Sequence, residues 1–217
     1  KIRSKKNNFF LSTTSLDQKY FKRQKSFYLG YFCISDKSNL RLFNSKNVLV
    51  EHWGTKKKIL SKYSFLKDTT NYLFTFLVKK LNKIHNTNKS EDYWRIIIYP
   101  WVCYYVTTLY DRWQIISQLK KKCKNSYFHT CEYESKHNLL EIGDINEWWI
   151  KTQSDQFNNQ MFNKIIKLRK IKKIKIIKKK ISKFPNNEIN YIFKENFKIK
   201  NTIKKFLVFL SDKVLNN

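Results

Sequence analysis

The stretch Tyr-Trp-Arg-Ile-Ile-Ile-Tyr-Pro-Trp, residues 93–101, belongs to an apolar and aromatic segment that runs from Glu91 to Cys123. Apolar residues recur in this segment at intervals of three and four, which predicts a long helix. Ser90 is a favourable N-cap, and Glu91 and Asp92 put negative charge at the helix start, where it is stabilising. Because so much of its surface is apolar, we expect this helix to be packed in the protein interior.

Three charged residues interrupt the apolar helix: Arg95 near one end and the pair Asp111-Arg112 near the other. The pair lies 16 and 17 positions after Arg95. At about 1.5 Å of rise per residue, Arg95 is too far away to pair with either of them along one helix. Buried charges are stable only with a partner or a ligand. We therefore expect each charge to meet a carboxylate, a carbonyl cluster or an anion-binding cleft, either as a structural ion pair or as part of a ligand site.

Short runs of aromatic and β-branched residues upstream of this helix are typical of strands in a covered sheet. They cover Phe9–Thr14, Ser26–Cys33 and Asn47–His52. A second segment of helical periodicity, Lys57–His85, lies between these runs and the helix at Glu91. Strands followed by helices favour an α/β fold. We predict a mainly parallel sheet with the three strands side by side and the helix from Glu91 packed against it.

Lysine dominates the charge of the chain, with 39 lysines beside six arginines in a net charge of +29. Alanine is absent, whereas Asn, Ile, Phe and Tyr are abundant, which is the residue usage of a genome poor in G and C. A basic chain ordinarily suggests nucleic acid or an anionic membrane as partner. Dedicated nucleic-acid binders, however, favour arginine for bidentate contacts. We predict no specific nucleic-acid partner and attribute part of the lysine excess to codon usage.

Cysteine usage and hydropathy both indicate a protein of the cytoplasm. The four cysteines, at 33, 103, 123 and 131, form no Cys-x-x-Cys pair, which favours a reducing compartment. Cys123, His129, Cys131 and His137 match no standard zinc spacing, so we predict no metal site. The first 25 residues hold no uninterrupted apolar core of a secretory signal. The longest apolar run, Ile96–Tyr110, is too short to span a bilayer.

Several common enzyme motifs are absent from the sequence. Glycine occurs only at positions 30, 54 and 143, so neither a dinucleotide-binding fingerprint nor a phosphate-binding loop is present. There is also no His-Glu-x-x-His, no Gly-x-Ser-x-Gly and no Asp-x-Asp pair. We therefore predict no bound cofactor and no enzyme class defined by one of these motifs.

Five short motifs occur in a recognisable order and spacing over residues 8–165. They are Thr13-Thr14, Leu29-Gly30-x-x-Cys33, His52-Trp53, Tyr93–Trp101 and Tyr110-Asp111-Arg112. In these motifs the chain resembles the N-terminal region of a family of bacterial transferases found with lipopolysaccharide and surface-carbohydrate biosynthesis genes. Tyr31 and Tyr99 depart from the family pattern, because they stand where the family usually has an acidic residue and a glycine.

The resemblance implies a glycosyltransferase-like enzyme of surface polysaccharide or lipopolysaccharide biosynthesis. Such an enzyme moves a sugar from an activated nucleotide donor to a glycan or lipid-linked acceptor. The resemblance also implies a metal-independent protein of two Rossmann-like domains, of which this chain is the N-terminal, acceptor-side half. We place the transferase domain at residues 1–163 and a lysine-rich helical segment at 164–217. The expected location is the cytoplasm, with peripheral contact at the anionic inner face of the cytoplasmic membrane.

Open parallel sheets bind ligands at the carboxyl ends of their strands, and this rule selects candidate site residues. Thr13 and Thr14 end the first predicted strand and can offer hydroxyls and amides to a phosphate or sugar, unless they only cap a helix. His52 ends the third strand, as a general base on an acceptor hydroxyl or as a structural histidine packed beside Trp53. We assign the catalytic role to His52, and substrate binding to Thr13, Thr14, Arg95, Asp111 and Arg112.

Two charged segments leave a second function open. Residues 164–183 hold 11 Lys or Arg and no acid, and we predict a solvated helix that continues from Asp155, or a distorted tail. Attachment of this segment to anionic lipid is the other interpretation. An acidic cluster is expected to form a solvated face that balances local lysines rather than to supply a catalytic carboxylate. It comprises Glu132, Glu134, Glu141, Asp144 and Glu147. The alternative function is a non-enzymatic polyanion-binding module for RNA or an anionic membrane surface.

Overall fold

A computed structural model describes residues 8–17, 25–34, 47–49, 53–122, 126–134 and 144–180. Four strands and four long helices follow one another in these ranges. They are β1 (Asn8–Ser12), β2 (Ser26–Tyr28), α1 (Lys56–Ile84), α2 (Glu91–Lys122), β3 (Tyr127–Glu134), α3 (Ile145–Gln153), α4 (Asp155–Leu168) and β4 (Ile174–Lys180). A short 3-10 helix, Tyr31–Cys33, follows β2.

The described residues form two compact units. The sheet unit contains the described residues up to 49 and those from 112 to 180, which include all four strands, α3, α4 and the end of α2. The hairpin unit contains residues 53–111, which are α1 and most of α2. The division falls within α2, directly after Asp111.

The sheet has the strand order β2-β1-β3-β4, and every neighbouring pair is parallel. In the register, Phe10 lies opposite Ser26, and Phe9 lies opposite Phe128. β1 is buried at its last three residues, as expected for a central strand covered on both faces. The prediction of an α/β protein with a parallel sheet is therefore confirmed. Of the third predicted strand, Val48 makes a single parallel bridge to Tyr28.

The lysine-rich segment 164–183 was predicted to be helical, and this is wrong for its described second half. α4 ends at Leu168, Lys170 takes a left-handed backbone conformation with φ of 47°, and residues 174–180 form β4. β4 pairs along its whole length with β3 and places Lys178 beside Glu132 and Lys180 beside Glu134. Isoleucines in β4 favour a strand, and opposite charges across the pair add stability. The domain boundary after residue 163 stays a prediction.

The hairpin unit consists of α1 and α2 joined by residues 85–90, and aromatic contacts hold it together. The ring of Phe74 on α1 meets that of Tyr99 on α2 edge-on, with 5.2 Å between centroids. The Tyr99 hydroxyl donates to Asn71 Oδ1 at 2.8 Å, and nearer the turn Trp94 Nε1 donates to Asn82 Oδ1 at 2.8 Å. These contacts show that α2 runs back along α1.

The predicted helix Glu91–Cys123 is observed as α2, which continues through Pro100. Its packing against the sheet stays a prediction. The end of α2 that lies within the sheet unit contacts the residue after α4, because Arg169 Nη1 donates to Ser117 Oγ and its guanidinium lies 4.2 Å from the Trp113 ring centroid. None of the helices in the described part of the chain has the length and apolarity that a membrane crossing requires.

Candidate functional site

The topology of the sheet creates one point where the chain changes direction. From β1 the chain passes to β2 on one side, and it later returns to β3 on the other side of β1. In open parallel sheets, the connections that follow two such strands leave in opposite directions, and ligands bind in the crevice outside the carboxyl ends of these strands. The carboxyl ends of β1 and β3 therefore define the candidate site. We call the residues at these two strand ends, with the first turns of α4, the switch-point cluster.

The loop after β1 is folded around the buried carboxylate of Asp17. One carboxylate oxygen accepts hydrogen bonds from the Thr13 amide at 2.8 Å, the Thr14 amide at 3.2 Å and the Thr13 hydroxyl at 3.3 Å. The other accepts a hydrogen bond from the Tyr133 hydroxyl at the end of β3. Burial raises the pKa of Asp17 to about 6, although the hydrogen bonds from Tyr133, Thr13 and Thr14 act in the opposite direction. Asp17 thus ties the ends of β1 and β3 together.

Two asparagines of α4 complete the buried part of the cluster. The side-chain amide of Asn159 donates to Thr13 Oγ1 at 2.9 Å and to the Cys131 carbonyl at 2.8 Å, and its oxygen accepts from the Tyr133 amide at 3.1 Å. Asn163, one turn later, donates to the same Cys131 carbonyl at 3.0 Å. Asn159 and Asn163 are both fully buried. A buried amide with this many partners fixes α4 against the strand ends.

The first residue of α4 contacts the loop after β1 from its more exposed side. Asp155 accepts a hydrogen bond from the Ser15 hydroxyl at 2.5 Å and one from the Ser15 amide at 3.4 Å. Ser15 and Asp155 are both half-buried, unlike Thr13 and Asp17. Within the cluster, Asp155 is thus a carboxylate that a ligand hydroxyl can approach.

Arg112, on α2, contacts Asn158, which lies one turn after Asp155 on α4. Its Nε and Nη2 donate to Asn158 Oδ1 at 3.1 and 3.0 Å. The guanidinium carbon lies 6.0 Å from the centroid of the Phe32 ring and 5.8 Å from that of Phe162. Gly30 makes room for the Phe32 ring, because a Cβ at this position would come within 2.5 Å of it. Arg112 is thus a half-buried cation, oriented by an amide and two aromatic rings.

One hydroxyl of the cluster has no hydrogen-bond partner among the described residues. Thr14 is 0% exposed, and its Oγ1 makes no hydrogen bond in the described part of the chain. Thr130 Oγ1, in the middle of β3, is a second buried hydroxyl that has no partner in the ranges that the structure describes. An unpaired buried hydroxyl costs free energy, so its presence at a strand end needs an explanation.

The comparison with known families assigns residues 9–217 to the LIC12162 family transferases. The chain belongs to this family. The transferase part of the predicted function is thereby established at the level of the family. No curated protein and no solved structure matches the chain.

The predicted site residues of this LIC12162 family chain fall in different places. Thr13 and Thr14 do lie at the carboxyl end of a strand, but their amides are already bound by Asp17, as is the Thr13 hydroxyl. Arg112 lies in the same unit, near α4. His52, the predicted general base, lies outside the described residues. Which of these residues binds substrate stays a prediction.

Arg95 and Asp111 belong to the hairpin unit and have local partners there. The guanidinium of Arg95 lies 4.7 Å from the Phe74 ring centroid and 4.6 Å from that of Tyr99. Asp111 accepts a hydrogen bond from Trp53 Nε1 at 2.8 Å, so its partner comes from outside the helix, as expected. Two aromatic faces hold the Arg95 cation, and the carboxylate, carbonyl cluster or anion-binding cleft expected beside it stays a prediction.

Members of the acidic cluster contact neighbouring groups in the described ranges. Glu132 pairs with Lys167 at 2.6 Å, and Asp144 Oδ1 caps α3 by accepting from the Glu147 amide at 2.8 Å. Among the residues that the structure describes, no three His, Cys, Asp or Glu side chains are grouped as metal ligands would be. The three described cysteines, at 33, 103 and 131, are free thiols.

The sequence interpretation missed Asp17, Tyr133 and Asn159. Asp17 lies five residues after Ser12, the last residue of β1, a position from which its side chain can return to the loop amides. Asn159 and Asn163 are spaced by four on α4 among Phe157, Phe162 and Ile165. Asparagines on the apolar face of a helix are a signal that the helix covers backbone groups in need of partners.

Proposed function

We propose that this LIC12162 family transferase is glycosyltransferase-like and moves a sugar from an activated nucleotide donor to a glycan or lipid-linked acceptor in surface polysaccharide or lipopolysaccharide biosynthesis. The family supports the transfer, and the resemblance of the five sequence motifs supports the sugar. The observation that carries the proposal is the switch-point cluster, because it places polar groups where open parallel sheets bind ligands.

The cluster suits sugar hydroxyls better than a phosphate. The amides of Thr13 and Thr14 are occupied by the Asp17 carboxylate, and the Ser15 amide faces Asp155. Two carboxylates beside the loop repel an anion. A sugar hydroxyl, by contrast, can donate to the half-buried Asp155. We propose that the loop after β1 opens when the sugar binds, so that the buried Thr14 Oγ1 donates to the sugar and gains a partner that it lacks among the described residues. We therefore assign this end of the site to a sugar.

Arg112 is the proposed binding group for phosphate. A guanidinium held by two aromatic rings and an amide loses little freedom when it binds, and its planar fork matches phosphate oxygens. A diphosphate occurs both in a nucleotide sugar and in a lipid-linked acceptor. We propose that Arg112 binds this shared diphosphate while the sugar lies toward Thr14 and Asp155.

His52 remains the proposed general base. In the transfer, an acceptor oxygen attacks the anomeric carbon of the donor sugar while His52 takes the proton from that oxygen. The bond from the anomeric carbon to the phosphate oxygen breaks, and the nucleotide diphosphate leaves with the electron pair. The contacts of Arg95 and Asp111 in the hairpin unit support structural rather than substrate-binding roles for them.

The proposal is tested with the full chain and a matched pair of variants, Arg112→Met and Arg95→Met. Arg95 and Arg112 are on the same helix, and the guanidinium of each lies near two aromatic rings. Each variant removes one guanidinium, so both change the net charge equally. Saturation-transfer NMR is recorded with three ligand sets: UDP- and GDP-linked sugars, the corresponding nucleotides alone, and polyprenyl-free glycosyl diphosphates. These sets separate a donor diphosphate from an acceptor diphosphate.

We expect Arg112→Met to weaken binding of the diphosphate ligands about tenfold or more, because a charge-assisted contact is lost. Arg95→Met is expected to bind as the unchanged chain does. Equal loss in both variants, or full binding by Arg112→Met, contradicts the assigned phosphate site. If none of the three sets binds the unchanged chain and RNA does, the polyanion-binding alternative replaces the transferase.

A further inference from the structure

The first turns of α1 carry lysines and exposed apolar side chains side by side. Ile59 is 46% exposed, Leu60 58% and Tyr63 63%. At 100° per residue these three lie within one third of the helix circumference. Lys56 and Lys67 lie on the same side, one turn before and one turn after them, and both are exposed. We call these five residues the basic apolar face. Lys57 and Lys58 lie outside it, about 100° and 200° around the helix from Lys56, and extend the positive charge around the first turn.

The charge of this face is of one sign. From Trp53 to Lys67 there are five lysines and no acidic residue. The exposed Asp68 that follows lies about 100° around the helix from Lys67 and therefore outside the face. Three of the lysines, Lys56 to Lys58, fill the first turn of α1, where the helix dipole is unfavourable to positive charge. The other three long helices each have an acidic residue in the first turn. Codon usage explains lysine in place of arginine, but it does not explain why α1 departs from this pattern.

We infer that the basic apolar face of α1 docks on the surface of an anionic lipid membrane. An anionic surface would compensate the cluster of positive charge at the helix start. Ile59, Leu60 and Tyr63 would enter the headgroup boundary, where apolar area contributes to binding and tyrosine is favoured. Lys56 and Lys67 are long enough to lay their stems beside these residues and keep their ammonium groups at the phosphates.

A nucleic acid fits this face less well than a lipid surface. Phosphate backbones would satisfy the lysines but would gain nothing from exposed isoleucine and leucine. The segment also has no arginine for base contacts. Docking on lipid goes beyond the proposed sugar transfer and does not depend on it, since the face lies in the hairpin unit and the switch-point cluster in the sheet unit.

The test uses the full chain and sedimentation with vesicles of phosphatidylcholine alone, or of phosphatidylcholine mixed with phosphatidylglycerol. The variant is Leu60→Ser with Tyr63→Ser. Its control is Ile96→Ser with Ile97→Ser on α2, where the two side chains are 83% and 52% exposed but follow Glu91 and Asp92. A second variant, Lys57→Gln with Lys67→Gln, removes two exposed charges from the first part of α1. Its control, Lys79→Gln with Lys83→Gln, removes two exposed charges from the last part of the same helix.

We expect binding to the mixed vesicles at about 0.15 M salt and much weaker binding to phosphatidylcholine alone. The Leu60/Tyr63 variant should lose about tenfold in partitioning and the Lys57/Lys67 variant at least as much, with unchanged melting temperatures. Both controls should stay within about twofold of the unchanged chain. Equal loss in variant and control, or unaltered binding by the Leu60/Tyr63 variant, overturns the inference. RNA binding without vesicle binding also overturns it.

Discussion

The two units of this transferase differ most in what they bury. In the described residues, eleven polar or charged side chains are buried, and ten of them lie in the sheet unit. The hairpin unit buries only Thr70 of this set and is held by aromatic contacts such as those of Tyr99. It also exposes more large apolar side chains, which include Ile96 and Leu60.

This difference indicates a division of roles. A buried polar network contributes little net stability compared with apolar packing, but it fixes one arrangement of the elements that it joins. The network of Asp17, Asn159 and Tyr133 holds the ends of β1 and β3, where we propose that the sugar binds. The hairpin unit has no such network in its described residues, and it instead exposes large apolar side chains to solvent.

The largest expected difference between the units comes from removing one buried amide. Asn159→Ala leaves the Tyr133 amide without an acceptor and removes the bonds to Thr13 and Cys131. We expect it to lower the free energy of unfolding by about 3 to 5 kcal/mol. Asn71→Ala, the control in the hairpin unit, loses one half-exposed hydrogen bond to Tyr99 and should cost about 1 kcal/mol or less.

Urea denaturation at constant pH measures both variants. If Asn159→Ala lowers the free energy of unfolding only as little as Asn71→Ala does, the sheet unit does not depend on its polar network, and the expected difference between the units is contradicted.

A smaller effect is expected from the pH dependence of Asp17. Its folded-state pKa of about 6 lies above the ordinary value of 3.8, so between these values the folded state binds more protons than the unfolded state. The contribution of Asp17 to stability is therefore complete below about pH 4 and is lost as the pH rises through about 6. The full loss amounts to about 3 kcal/mol at most.

Asp17→Asn removes this titration. We expect the unchanged chain to lose stability relative to Asp17→Asn when urea denaturation is repeated from about pH 4 to about pH 7. A difference that stays constant over this range, or that changes in the opposite direction, contradicts the buried and desolvated state of the carboxylate. The constant part of the difference reports the hydrogen bonds that asparagine cannot accept.

The sequence predicted the parallel sheet and the strand end at Thr13-Thr14, because β-branched and aromatic runs between polar residues are a local signal. It did not predict β4, because its isoleucines are separated by lysines, and only the opposite charges on β3 make an edge strand favourable there. Asn159 was missed for a related reason. Its importance depends on which carbonyl and amide groups it meets in space, and these lie 26 and 28 residues away.

The candidate site residues were chosen on similar local signals, and their role in binding stays a prediction. Thr13 and Thr14 were found from their place at a strand end, whereas the occupation of their amides by Asp17 depends on a side chain four and three residues later that folds back. Arg112 was chosen as a charge in an apolar helix, and the two rings that orient it come from Phe32 and Phe162, far from it in the sequence.

Binding of the sugar by the switch-point cluster is tested most directly with the variants that are expected to change stability least. Thr14→Val removes a buried hydroxyl that has no partner in the described residues, and Thr130→Val removes the second such hydroxyl, in the middle of β3. Neither variant should lose stability, and we expect each to gain about 1 kcal/mol. Calorimetric titration with the sugar-bearing ligand that binds best in the NMR panel is the measurement. The account predicts about a tenfold loss of affinity for Thr14→Val and none for Thr130→Val. Equal affinities for the two variants would contradict it.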